Sequence, residues 1–318
     1  MRLLLSAAFV VAAAGPIHAM TWSLDSYVDY PLVDENETGL QLTQGIAWNA
    51  AAGEWVTSWQ YGLARFTEDW QFISATGHID LSTMNVVSGI PQELADQGFD
   101  HIGDFEVRDG VIHASLDSAE GDYQNGHVAL FDAVTLEYLG DLYPMIGDET
   151  NPRNDVASWT AIDAETGLGY GKEWQLGDTI NIYDVTDWSF LGTLEMDQSL
   201  SSIQGAKVLD GMMYLSSDND TMSIYGLDLS TGHVTELFQL DGVDGASIEV
   251  EGLALRTLGD GTVEMYVEMI ANPGGGSELD AYTRLYRYVG IPSPVPVPAT
   301  LPLALSGLAA FALARRRR

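Results

Sequence analysis

VALFDAVTLEYLG, residues 128–140, holds a complete structural unit in one short phrase. An apolar run ends in an aromatic, a polar turn follows, and a second apolar stretch closes on glycine. Short apolar runs separated by turn residues read as antiparallel strands, not as a helix. The same grammar recurs in LARFTEDWQFI (63–73), INIYDVTDWSFLG (180–192) and MSIYGLDLSTGHVTEL (222–237). RLYRYVG (284–290) begins the unit and stops before its second strand.

Upstream of each copy lies a glycine-led strand, a turn and another strand. These are QGIAWNAAAGEWVTSW (44–59), GDFEVRDGVIHASL (103–116), WTAIDAETGLGYGKEW (159–174), QGAKVLDGMMYLSS (204–217) and EGLALRTLGDGTVEMYV (251–267). Asp109-Gly110, Asp210-Gly211 and Asp260-Gly261 are hairpin signals, because glycine accepts the positive φ of tight turns. Each unit therefore reads as four antiparallel strands, with Phe66, Phe131, Tyr183, Tyr225 and Tyr286 at equivalent places. Their spacings of 65, 52, 42 and 61 residues suit propeller blades with loop insertions. The last unit lacks its outer strand, and TWSLDSYVDYPLV (21–33) alternates like a strand without a partner. Circular closure resolves both and removes exposed sheet edges. The expected fold is all-β: a β-propeller of five blades closed by the N-terminal strand. A sixth has room in the weakly patterned stretch 74–100. A β-sandwich would leave the four-strand repeat unexplained, and two separate β domains are the other alternative.

The ends differ from this body. MRLLLSAAFVVAAAGPIHA (1–19) has Arg2, an apolar core, Gly15-Pro16 and a small-residue cleavage site, the layout of a secretory signal peptide. The propeller domain is expected over 20–290, a proline-rich linker over 291–298, and a C-terminal apolar segment with an arginine cluster over 299–318. The ends hold five of the 13 basic residues and no acidic ones, so the body carries 46 acidic against 8 basic groups, a balance of −38. Such a surface repels nucleic acid and anionic lipid and favours cations. There is no cysteine, which excludes thiol catalysis and disulfide staples.

In a propeller the starts of the innermost strands line an axial pocket. Those starts carry Gln44, His101 and Asp104, Trp159, Gln204, and Glu249 with Glu251. Carboxylates with a carboxamide suit Ca²⁺, so Asp104 and Glu251 are the candidate metal ligands and Ca²⁺ the candidate cofactor. A His–carboxylate pair would instead hold a transition metal or act as a general base. The plainer alternative is that these groups close the inner strands by hydrogen bonds. Asp218, Asn219 and Asp220 in SSDNDT (216–221) lack the full calcium-loop pattern, and PGGGSELD (273–280) lacks the residues of a phosphate loop. GDETNPRND (147–155) reads as a loop between blades. The tryptophans Trp48, Trp55, Trp59, Trp70, Trp159, Trp174 and Trp188 read as packing between blades more than as sugar platforms. Nothing resembles a nucleophile elbow.

Two resemblances follow from particular residues. LTQGIAW (42–48) and the Glu-Gly strand start at 251–252 look like inner strands of five- and six-bladed propellers, including glutamine cyclotransferases and lactonase-type hydrolases. Val295-Pro296-Val297-Pro298-Ala299, an apolar segment and Arg315, Arg316, Arg317 and Arg318 resemble the VPLPA variety of the PEP-CTERM sorting signal. That resemblance implies an exported protein of a Gram-negative bacterium, an exosortase-type processing enzyme as partner, and insertion of the tail in the inner membrane, transiently or permanently. The apolar stretch 299–314 would make roughly 24 Å of helix, short of a ~30 Å hydrocarbon core, with the arginines on the cytoplasmic side. Two functions stay open. One is a cell-surface or biofilm-matrix module binding a glycan or protein, and the other an exported hydrolase or lyase with an axial active site.

Overall fold

The computed structural model describes residues 20–33, 38–80, 82–119, 123–145, 158–174, 176–273 and 280–292. The signal-peptide segment 1–19, the sorting motif Val295–Ala299, the apolar tail with Arg315–Arg318, the 147–155 loop and most of the 273–280 glycine run lie outside these residues. Among the described residues no helix is long and apolar enough to cross a membrane.

Five four-stranded antiparallel sheets form a five-bladed β-propeller. Blade I contains β2 (Gly45–Asn49), β3 (Glu54–Trp59), β4 (Gly62–Thr67) and β5 (Phe72–Ala75). Two further strands, β6 (His78–Asp80) and β7 (Asn85–Val87), pair only with each other, and a short helix α1 (Gln92–Ala95) follows. The stretch 74–100 thus holds a hairpin and a helical turn, not a sixth blade. Blade II contains β8 (His101–Arg108), β9 (Val111–Ser118), β10 (Gln124–Asp132) and β11 (Tyr138–Pro144). Blade III contains β12 (Ala161–Asp163), β13 (Leu168–Gly171), β14 (Gly177–Asp184) and β15 (Ser189–Leu200). Blade IV contains β16 (Ile203–Leu209), β17 (Met212–Ser217), β18 (Ser223–Asp228) and β19 (Val234–Gln239). Blade V is β20 (Ala246–Thr257), β21 (Val263–Pro273) and β22 (Tyr282–Pro292), with β1 (Met20–Pro31) as its outer strand.

Closure by β1 is reinforced electrostatically. Arg284 makes a bidentate pair with Asp29 at 2.6 and 2.8 Å and lies 4.1 Å over the Tyr27 ring. Arg287 reaches Asp25 at 2.6 Å. Planar guanidinium groups favour this combination of fork and ring stacking.

Each sheet buries both faces, because side chains alternate across a strand and every blade has two neighbours. Five hydrophobic clusters occupy the five interfaces. Between blades V and I, Trp55 stacks on Trp70 at 5.0 Å and meets Tyr266 edge-on, while Arg256 covers Trp48 at 4.1 Å. Trp188 lies wholly inside the II–III cluster. These tryptophans pack between blades.

The repeating third-strand aromatic also has a backbone consequence. In blades I to IV the register shifts at or beside Phe66, Phe131, Tyr183 and Tyr225, a bulge that increases local twist. Aspartates at the ends of three of these strands, Asp132, Asp184 and Asp228, accept hydrogen bonds from backbone N–H groups of the following turn. Such Asx turns mimic a backbone turn. Asp109-Gly110 and Asp210-Gly211 have positive φ at both residues, as two-residue hairpins require.

At the axis the inner strands touch through glycine. A Cβ on Gly45 would stand 2.6 Å from the Asp104 Cα, on Gly252 2.7 Å from the Gly45 Cα, and on Gly205 2.7 Å from the Gly252 Cα. On Gly103 it would overlap the Ser158 carbonyl oxygen. The strand β8 lies against all four other inner strands. Gly103→Ala should therefore cost on the order of 3 kcal/mol or more, since the Ser158 backbone cannot give way and the Ser115 hydroxyl would also be displaced. Gly259→Ala, in open space, should change stability little. Chemical denaturation of the two variants checks this pair.

Candidate functional site

Asp104 is the centre of the axis. It protrudes from a bulge in β8, where the register shifts between Ile102 and Phe105. Its Oδ1 accepts from the Ile46 N–H of blade I at 3.2 Å. Its Oδ2 accepts from the Ala206 N–H at 3.1 Å and Lys207 Nζ at 2.7 Å, both of blade IV. Its backbone pairs in parallel with Trp159 of blade III, donating to the Ser158 carbonyl and accepting from the Thr160 N–H. One buried residue thus bonds to three other blades. Burial lifts its carboxyl to about 6 against the pull of Lys207 and the N–H donors, so the carboxylate form that these donors require prevails at neutral pH.

Hydroxyls on the second strands brace the same level. Ser58 donates to the Gly103 carbonyl, Ser115 to the Asp104 carbonyl and Ser216 to the Glu251 carbonyl, at 2.6 to 2.8 Å. In blade V the register shift between Val250 and Leu253 sets Glu268 opposite Glu251-Gly252, where blades I and IV have Ser58 and Ser216. Glu268 is fully buried and neither of its carboxyl oxygens has a hydrogen-bond partner. Burial, aggravated by the charge of Asp104 and eased by Lys207, pushes it well above the ordinary carboxylate range.

At the start of the inner strands a second chain of contacts links three blades. His101 bonds through Nδ1 to Asp117 Oδ1 and through Nε2 to Gln44 Oε1, both at 2.7 Å. Gln44 Nε2 donates to Glu251 Oε1 at 3.3 Å. Asp117 and Glu251 are buried, and each keeps one carboxyl oxygen, Oδ2 and Oε2, without a partner. Burial raises both groups, Glu251 well above its usual range, with Glu249, Glu268, Asp218 and Asp104 adding to the effect. Tyr123, half-exposed and at φ 53°, stands edge-on to the His101 ring at 5.4 Å.

Of the predicted axial residues, the structure joins Gln44, His101 and Glu251 in one network, with Glu249 exposed beside it. Asp104 belongs to a different network, in which its two oxygens accept three hydrogen bonds. Trp159 is buried in the III–IV cluster, and Gln204 sits partly buried at the bulge that begins β16. Among the described residues no group of three or more His, Asp or Glu side chains is placed to hold a metal ion. Both oxygens of Asp104, one of the two expected Ca²⁺ ligands, instead accept from Ile46, Ala206 and Lys207. The 218–220 loop is a satisfied turn: Asn219 Oδ1 accepts from Thr221 and Ser223 N–H, and Asp218 Oδ1 from the Val250 N–H. Asp117, Lys207, Glu268 and Tyr123 escaped notice because they stand off the inner-strand starts. A charge at 268 in the serine position of aligned repeats was the available signal.

The chain matches no family model and no curated protein sequence. Among solved structures it is similar to Kuenenia stuttgartiensis hydrazine synthase, at 11% identity and a TM-score of 0.41 over 72% of this chain. The chain spans 56% of the length of that structure.

The buried acids set a pH dependence. A carboxyl whose folded pKa lies above its unfolded value stabilises the protein below the unfolded value, and that contribution is lost as pH rises through the folded one. Glu251 and Glu268 rise from 4.5 to well above it, Asp104 to about 6 and Glu106 to about 7. Thermal midpoints should fall as pH is raised from about 5 to about 8. Glu268→Gln, which removes an ionisable group without changing shape, should flatten the decline and raise stability at the alkaline end.

Proposed function

We propose that this protein is an exported binding module of the cell surface or extracellular matrix, delivered by the 1–19 signal peptide and the PEP-CTERM-type tail. An exosortase-type enzyme would be its processing partner, and an extracellular protein or glycan its ligand. The observation that carries the binding reading over a catalytic one is the state of the polar groups at the axis. Both ring nitrogens of His101 are engaged, by Asp117 and Gln44, and Asp104 is saturated by two backbone N–H groups and Lys207. A general base needs a lone pair within reach of a substrate proton, and these groups have theirs turned inward.

The charge pattern narrows the ligand. Arg65 pairs with Glu54, Lys207 with Asp104, Arg256 with Glu68, Arg284 with Asp29, and Arg287 with Asp25 and Glu264. Cations held in this way offer little to an anionic partner, whereas unpaired carboxylates dominate the surface. Nucleic acid is excluded as a partner on the same ground. The hydrolase or lyase alternative draws on Glu251, whose unpartnered oxygen and raised pKa are those of a general acid.

Removing residues 295–318, or replacing Arg315–Arg318 by neutral residues, should shift the protein from the surface or matrix fraction to the culture medium or periplasm. Immunoblots of fractionated cells read the outcome. An unchanged distribution would overturn the routing part of this reading.

A further inference from the structure

We propose that Gln44 is a proton-controlled link between blades at the start of the inner strands. Its side-chain amide keeps contact with both blade II and blade V only while the chain Asp117–His101–Gln44–Glu251 holds at least two titratable protons. When the second proton leaves, the amide lets go of one blade. The link works independently of where the protein is delivered and of what it binds. His101 Nδ1 lies 2.7 Å from Asp117 Oδ1, His101 Nε2 lies 2.7 Å from Gln44 Oε1, and Gln44 Nε2 lies 3.3 Å from Glu251 Oε1. Asp117 and His101 stand on blade II, Gln44 leads into blade I, and Glu251 stands on blade V. The Gln44 backbone N–H donates to the Ser58 carbonyl at 3.1 Å, which fixes the main chain and leaves only the side chain to reorient.

Donors and acceptors set the rule. An amide donates only from nitrogen and accepts only at oxygen, an imidazole nitrogen does one or the other according to its proton, and a carboxyl donates only when protonated. With Gln44 Oε1 toward His101, Nε2 of the ring carries a hydrogen. A second proton lies between Nδ1 and Asp117, and Glu251 accepts from the amide. With the amide turned over, Gln44 Nε2 donates to a bare His101 Nε2, Nδ1–H donates to Asp117, and Glu251 donates an O–H to Gln44 Oε1. Both arrangements hold two protons, so passing between them moves one proton from His101 to Glu251 with no net release. After one proton departs, the short charge-assisted His101–Asp117 bond keeps the other. His101 Nε2 and Glu251 are then acceptors only, and Gln44 has a donor for just one of them.

The surroundings favour retention of the second proton. Burial raises Asp117, with Asp100 adding to it, and raises Glu251 well above its usual range, with Glu249, Glu268, Asp218 and Asp104 adding to it. Glu249 also faces His101, and Tyr123, itself raised by burial and these acids, stands edge-on to the histidine ring as a neutral phenol. The link is therefore complete at mildly acid pH and opens as pH rises through the loss of that proton.

Nitrogen-15 NMR of the purified protein tests this through the His101 ring and the Gln44 side-chain amide. Protection of the amide, measured against a free amide at the same pH, should be high at about pH 5 and lost by about pH 9, the interval between ordinary carboxyl and phenol titration. Two isosteric variants at opposite ends of the chain should each abolish that transition, because an amide at either end both donates and accepts. In Glu251→Gln the alkaline His101 should keep its proton on Nδ1, and in Asp117→Asn on Nε2. Opposite tautomers are not expected from packing alone. Glu268→Gln, at the sealed level, should leave the transition in place. No change in Gln44 protection while the unaltered protein stays folded would overturn the proposal, as would the same transition in either amide variant that folds.

Discussion

The structure depends on a contact that leaves no room for a side chain. Where the inner strands converge, Gly45, Gly252 and Gly205 approach backbone to backbone, and Gly103 meets the Ser158 carbonyl. Five twisted sheets arranged around so narrow an axis bring their polar backbones together where water cannot reach. Buried N–H and C=O groups must then be satisfied by protein. Asp104 meets that demand by accepting from Ile46, Ala206 and Lys207 while its own backbone bridges to blade III. The bulges in β8, β16 and β20 follow from the same constraint, since each removes the inner strand from its ladder where it must turn toward the axis.

That crowding divides the axial polar residues into two levels. At the glycine level, Asp104, Lys207 and Glu268 are sealed in, with Ser58, Ser115 and Ser216 tying second strands to the inner strands. At the strand starts, His101, Gln44, Asp117 and Glu251 form a separate chain beside exposed Glu249 and half-exposed Tyr123. The first level is the architecture's own hydrogen bonding. The second retains two carboxylate oxygens without donors, one on Asp117 and one on Glu251. Glu268 shares the orphaned state but lies at the sealed level, so its consequence is for stability against pH.

An excess of acid places its own demand on the closure. With few cations in the body, their placement matters. Arg284 and Arg287 join β22 to β1, and Arg256 spans the aromatic V–I interface against Glu68. The absence of cysteine forbids a disulfide at the seam between β22 and β1. Ion pairing across the outermost strand, with Tyr27 beneath the Arg284 guanidinium, supplements the ladder hydrogen bonds. Surface pairs are individually weak, but bidentate geometry and ring stacking strengthen this one.

The strand units, their fivefold repetition, the hairpins at Asp109-Gly110 and Asp210-Gly211, and the closure by 21–33 are all legible in the amino-acid order. These are local or periodic properties: apolar alternation, turn chemistry and an incomplete last unit. Inner-strand starts converge in any propeller, so Gln44, His101, Asp104, Trp159, Gln204, Glu249 and Glu251 were all legible as residues of the axis, without distinction among them. That Asp104 and Glu251 belong to different networks emerges only from the folded arrangement. A bulge of one residue, here Ile102 to Phe105 set against Leu116 to Ala114, reverses the direction of a side chain, and no pattern in FDHIGD (99–104) announces it. The partnership of His101 with Asp117 likewise comes from cross-strand register, and that of Gln44 with Glu251 from the meeting of the first and last blades around the ring. Composition made an acidic body certain; which of its acids stand without partners is a matter of packing alone.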